Sequence, residues 1–319
     1  QLVENKDRLK RAVNSVFPGG STALHEAWVR GGLQVSEHLD TDAINRVLLI
    51  TDGQANVGET SVDRIVEQTR QLASRNVSTS TIGIGQDFNE DLLMPMAEAG
   101  QGNSWHVEEP QDMVKIFETE LRGLVNQIGH SVTFGIKPAA GVTVAEVLND
   151  FELDASGRYK LPNLQAGSPL DIVVRLRVPA QSEGTTAELA QFSLAYIGQE
   201  SKLPETVIAV FAGDFASAAE VDLLPENVDV VTAVQLLMNA RARREAMAKM
   251  DQFDFAGAEM ELKMASGTTR NRYSQSPLPA LAAEIEDLAD LEESLKSRQN
   301  DALSRKKMAY RREMLRKGK

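Results

Sequence analysis

The chain has 319 residues, 42% hydrophobic and 25% charged, which is enough apolar material for two or three domain cores. Its 34 Lys and Arg face 46 Asp and Glu, and the net charge of -12 argues against nucleic acid as a partner. The absence of cysteine excludes disulfides, thiolate metal sites and cysteine nucleophiles, and no apolar run is long enough to cross a bilayer.

From residue 5 to about residue 128, helix-like and strand-like patterns alternate, as in a doubly wound α/β fold with a mostly parallel sheet. A first helix is predicted through Leu9, Val13 and Val16, stopping at Pro18-Gly19-Gly20. A second begins near Thr22 and carries Leu24, Ala27, Trp28, Gly31, Val35 and Leu39 at spacings of three and four. The apolar run Val47 to Ile50 predicts a strand covered on both faces and ends in Thr51-Asp52-Gly53. A helix with Ile65, Val66, Thr69 and Leu72 inward follows, then a strand from Val77 to Ile84 and a helix from Asp87 to Ala99. A short strand, Ser104 to Val107, and a long helix from Pro110 to Ile128 complete this first unit.

Beyond Gly129 the period changes to two, as in Val132, Phe134 and Ile136, in Leu170 to Val178, and in Phe192, Leu194 and Tyr196. Residues 131–213 are therefore expected to form an antiparallel β-sandwich. Residues 218–319 read as helical, with Val228 to Met250 and Phe253 to Ala265 forming a hairpin. A last helix opens at Pro277 and repeats Leu281, Ile285, Leu288, Leu291 and Leu295. Six acidic and no basic residues lie between Glu284 and Glu293, and ten basic residues then face two acidic ones up to Lys319. This charge split fits either a solvated helix with a frayed basic end or a docking helix for a partner.

Catalytic signatures are missing. His25-Glu26 begins an H-E-x-x-H pattern that fails at Val29, there is no G-K-[ST], and Gly83-Ile84-Gly85 meets Phe88 where a dinucleotide fingerprint needs its third glycine. His25, His38, His106 and His130 share no metal-ligand spacing and read as surface or helix-face residues. A non-enzymatic protein is the expectation.

Two short motifs fall where open α/β sheets bind ligands, at the carboxyl ends of the strands. Asp52 directly follows a strand, and Thr22 follows the Gly19-Gly20 turn at a helix start. A carboxylate and a hydroxyl are hard oxygen donors suited to Mg²⁺. Each alone has a plainer reading: Thr22 as a helix cap, Asp52 as a turn residue.

In order, Gly19-Gly20-Ser21-Thr22-Ala23-Leu24, Val47-Leu-Leu-Ile-Thr-Asp-Gly53 with Gln54-Ala-Asn-Val-Gly58, and Thr81-Ile-Gly-Ile-Gly85 resemble a von Willebrand factor type A domain, covering residues 1–128. The resemblance implies a metal-ion-dependent adhesion site with Thr22 and Asp52 as metal ligands. Gly19, Gly20, Ser21, Gly53, Asp87 and Asn89 would form its binding rim. It further implies Mg²⁺, or Mn²⁺ or Ca²⁺, as the cofactor of the complete domain, and a protein partner whose Asp or Glu carboxylate completes the coordination. The family's D-x-S-x-S loop is expected upstream of Gln1, so the chain as given is expected to bind metal weakly and its sheet to have a gap or be unstable on its own. The layout after residue 128 is similar to bacterial relatives of the inter-alpha-trypsin inhibitor heavy chains. The alternative expectation is an assembly subunit with a degenerate metal site that meets partners through its C-terminal helices.

Overall fold

The computed structural model describes residues 5–15, 17, 21–40, 43–297 and 301–318. The first unit contains α1 (Lys6–Asn14), α2 (Leu24–Glu37), β1 (Arg46–Thr51), α3 (Val62–Ala73), β2 (Ser78–Ile84), α4 (Glu90–Ala99), β3 (Gln101–Val107) and α5 (Met113–Val125). Its strands pair in parallel in the order β1-β2-β3, the doubly wound arrangement that the alternating pattern predicts. No gap interrupts these three strands.

Helices cover the sheet on two faces. Leu24 and Trp28 of α2, Ile65 of α3, and Leu92, Leu93 and Met96 of α4 form one buried cluster with Val47 and Leu49 of β1. Ile116 of α5 packs with Ile82, Trp105 and Val107 on the other face. Each large apolar side chain buried in this way contributes about 1.5–3 kcal/mol. The expectation that β1 is covered on both faces fails: Val47 and Leu49 are buried, but Ile50 is 43% exposed. Helix α1 likewise buries none of its residues and leaves Leu9 and Val13 exposed.

One buried carboxylate joins the whole unit. Glu120 of α5 accepts from Arg46 of β1 (2.7 Å), Ser80 of β2 (2.5 Å), and Asn103 (2.8 Å) and Trp105 (2.9 Å) of β3. Burial raises its pKa, but Arg46 and the three neutral donors outweigh burial and hold the carboxyl below its ordinary value.

The helix expected from Pro110 to Ile128 is shorter. A 3-10 turn occupies Pro110–Asp112, and strand pairing begins at Gln127, where β4 (Gln127–Pro138) meets Gln165. The following region is antiparallel: β5 (Thr143–Val147), β6 (Tyr159–Lys160), β7 (Leu164–Gln165), β8 (Val174–Arg177), β9 (Thr186–Gly198) and β10 (Pro204–Asp214). The expected sandwich resolves into a sheet ordered β10-β9-β4-β6, with β7 also on β4, and a separate β5-β8 pair. The outer strand β10 is exposed on both faces, with Val207, Ile208, Val210 and Phe211 about half open to solvent.

The last unit holds α6 (Ala218–Val221), α7 (Val228–Asp251), α8 (Phe255–Gln275), α9 (Pro279–Ser297) and α10 (Asp301–Arg316). The charge-split last helix departs in part from both sequence readings. It is two helices, and Leu281, Leu288, Leu291 and Leu295 are buried inside the chain rather than free to dock a partner. Two of the six acidic residues turn inward as well: Glu284 is fully buried against Arg243 and Arg311, and Asp287 pairs with Arg243, while Glu286, Asp290 and Glu293 stay exposed. The basic run folds back on the first unit, where Lys306 and Arg316 are each only 5% exposed.

Candidate functional site

The carboxyl end of β1 brings the two expected donors together. Thr51 shapes the turn, its hydroxyl donating to Gly53 O (3.0 Å) and accepting from Gly53 N (3.2 Å). Asp52 projects into solvent from that turn and has no hydrogen-bond or ion-pair partner among the described residues. Thr22 is clipped to the same loop: its N–H donates to Asn56 Oδ1 (2.7 Å), and Asn56 N donates back to Thr22 O (3.2 Å). Its hydroxyl lies so near Gly53 that a Cβ there would sit 3.3 Å from Thr22 Oγ1. Glycine at 53 leaves that oxygen accessible beside Asp52.

The plainer reading of Thr22 as a cap is not met, because α2 starts from Ala23 without a side-chain cap. Asn56, which fastens the two segments, belongs to the quoted motif but was not singled out; its short side-chain acceptor three residues after the Asp52-Gly53 turn is the available signal.

Gly19 and Gly20 lie outside the described residues. Ser21 and Asp87 are exposed, the latter at the tip of the β2–α4 loop. The Asn89 side chain is already used, capping α4 through Leu92 N (3.2 Å). That loop rests on glycine: a Cβ at Gly83 would lie 2.5 Å from the Phe88 ring, and Gly85 has φ +71°. Gly83 and Gly85 thus seat an aromatic side chain and turn the backbone.

His106 departs from the surface reading. It is on β3, packs 5.3 Å from the Phe88 ring, and one ring nitrogen, Nε2, lies 3.0 Å from Gly85 O. Burial pushes the imidazole below its ordinary pKa, and because a carbonyl can only accept, Nε2 carries the proton.

A divalent hard cation takes about six or more oxygen ligands. The described residues supply the Thr22 hydroxyl beside Gly53 and, on the same turn as Gly53, the unpaired Asp52 carboxylate, the right donor chemistry but a partial set. No cluster of three or more His, Asp or Glu suited to a metal occurs among the described residues. No described helix is long and apolar enough to cross a membrane.

Residues 1–119 match the family described as von Willebrand factor type A domain. Inter-alpha-trypsin inhibitor heavy chain H2 of Mus musculus is 26% identical over 142 residues, covering 42% of this chain and 15% of that protein. The uncharacterized protein YfbK of Escherichia coli is 26% identical over 129 residues, covering 40% of this chain and 22% of its own length. The chain thus spans under a quarter of these two relatives. Among solved structures, a von Willebrand factor type A protein from Catenulispora acidiphila aligns with TM-score 0.62 at 16% identity, covering 97% of this chain and 73% of its own. The human COPII-coat protein Sec24c aligns with TM-score 0.58 at 9% identity, covering 97% of this chain and 44% of its own. At these identities the structures speak for the fold alone.

Proposed function

Residues 1–119 of the chain are a von Willebrand factor type A domain, and from that premise we propose a non-enzymatic role in cation-dependent protein binding at the carboxyl end of β1. The reading rests on one observation above all: Thr22 and the Asp52-Gly53 turn, 30 residues apart in sequence, are fastened together through Asn56 with a hydroxyl and an unpaired carboxylate on the open side. Thr22 and Asp52 would hold Mg²⁺, Mn²⁺ or Ca²⁺ together with waters and with the D-x-S-x-S donors that the family implies. The bound cation would supply a Lewis-acidic position for an Asp or Glu carboxylate of the partner. Ser21, Gly53 and Asp87 would border the contact.

The test uses the longest natural form of the chain. Partners are captured in Mg²⁺ and eluted with EDTA, and capture is repeated with Asp52→Ala and Thr22→Ala. Cation-dependent capture that both variants lose supports the proposal. Capture indifferent to EDTA, or unchanged in both variants, refutes it.

A further inference from the structure

The loop that carries Asp87 is held by a helix from the other end of the chain. Lys306 of α10 is almost completely buried, and its ammonium donates to Phe88 O (2.7 Å) and to the Glu90 carboxylate. The same ammonium stands 4.5 Å from the Phe88 ring centroid. One residue earlier, Arg305 spans three carboxylates: Glu90 (2.5 Å) and Asp91 (3.1 Å) of α4, and Asp251 (2.9 Å) at the end of α7. One turn later, Tyr310 meets the His106 ring edge-on at 6.5 Å, and His106 in turn donates to Gly85 O. Both flanks of the loop, Gly85 and Phe88 to Glu90, are therefore tied down, while Gln86 and Asp87 stay exposed.

A buried lysine is a poor stabiliser. Replacing a buried ion pair by apolar side chains of similar volume is often neutral or stabilising, because desolvation opposes the attraction. What the pair supplies is direction: an ammonium satisfied only by one carbonyl and one carboxylate fixes where both must be. We infer that Lys306 is a positioning residue for the β2–α4 loop, and that through it the C-terminal helical unit sets how the loop presents Asp87 at the binding edge. Arg305 extends the link to α7, so a partner that shifts α7 against α4 pulls on the same loop. The loop-holding role stands on contacts alone; its bearing on partner binding rests on the reading proposed above.

The experiment is amide hydrogen exchange on the full chain in the absence of divalent cations. Gly85 N is bonded to Val107 O (2.8 Å) and Leu93 N to Asn89 O (3.0 Å), so both report the loop, and the amides of α3 serve as the control. Lys306→Met is expected to speed exchange at Gly85 and Leu93 by about tenfold or more while α3 is unchanged, with Lys306→Arg restoring part of the protection. Arg305→Ala, at the more open side of the contact, is expected to give a smaller rise confined to the same amides. A uniform rise across α3 and the loop would reduce Lys306 to a packing residue, and unchanged loop exchange in both variants would overturn the inference. Because no cation is present, a loop-selective rise stands even if partner capture proves indifferent to EDTA. If capture is EDTA-sensitive and loop exchange is unmoved, only the present inference fails.

Discussion

Glu120→Gln tests whether the first unit is held at one buried point. The amide keeps the shape of the carboxylate but exchanges one acceptor oxygen for a donor. Either way it turns, its NH₂ group faces donors: Arg46 and Ser80 on one side, Asn103 and Trp105 on the other. Two bonds to a charged acceptor are lost, each worth about 1.5–3 kcal/mol. The Arg46 side chain, 6% exposed, is left without a counter-charge. A broken buried pair of this kind costs roughly 3–5 kcal/mol. With a urea dependence of about 1–3 kcal/mol per molar, the transition should fall by at least about 1 M. Tryptophan emission is the readout, since the chain's two tryptophans, Trp28 and Trp105, both lie in this unit and Trp105 donates directly to Glu120. Arg46→Met combined with Glu120→Gln should cost less than the two single changes together, by about 1–3 kcal/mol, because the double variant has no orphaned charge. A single-variant loss below about 1 kcal/mol, or additivity within about 0.5 kcal/mol, would refute the argument.

Two further outcomes are expected. Gly83→Ala should lower the thermal midpoint, costing about 1–3 kcal/mol, because the new methyl collides with the Phe88 ring. Gly267→Ala, inside α8 with nothing within 4 Å of the new Cβ, should instead stabilise by roughly 0.5–1 kcal/mol, and the opposite order of midpoints would contradict the packing. Acid should loosen the fold. Burial raises the pKa values of Glu90, Glu120 and Glu313, but Lys306, Arg46, and Lys317 with Arg316, respectively, outweigh it, so all three folded values lie below the ordinary 4.5. A depressed folded pKa gives stability that is complete above the unfolded value and is lost as pH falls toward the folded one. The urea midpoint should accordingly begin to fall below about pH 6.5, where His106 takes up a proton more readily in the unfolded chain, and decline further below about 4.5; a midpoint that rises on acidification would contradict these assignments.

The first unit was legible because its signals are local. The three-and-four spacing in α2 and the β-branched run of β2 mark their elements within a few residues of sequence, and Asp52 shows its place simply by following a strand. The expected end of the second hairpin helix at Ala265 fell short for the converse reason. Beyond it α8 turns a polar face inward, with Thr269 fully buried and hydrogen-bonded to Asn239 (2.9 Å), so apolar periodicity stops where the helix does not. The fate of the basic run was not legible at all. Lys306 and Glu90 are 216 residues apart, and nothing in either neighbourhood marks the other as its counter-ion. A row of lysines and arginines reads as solvated until the fold shows which carboxylates it meets.

That separation also sets an order of events during synthesis. At about 5–20 residues per second, a ribosome needs roughly 10–40 s to travel from Glu90 to Lys306. Once β3 and α5 have been made, the nascent α/β unit has its sheet and helices α2 to α5 but still lacks Lys306, the amine that pairs with Glu90 and holds Phe88 O. An excised fragment of residues 1–128 would stay permanently in that condition, its β2–α4 loop held by His106 at Gly85 but without Lys306 at Phe88 and Glu90. Binding measured on such a fragment would describe the half-made protein rather than the finished one.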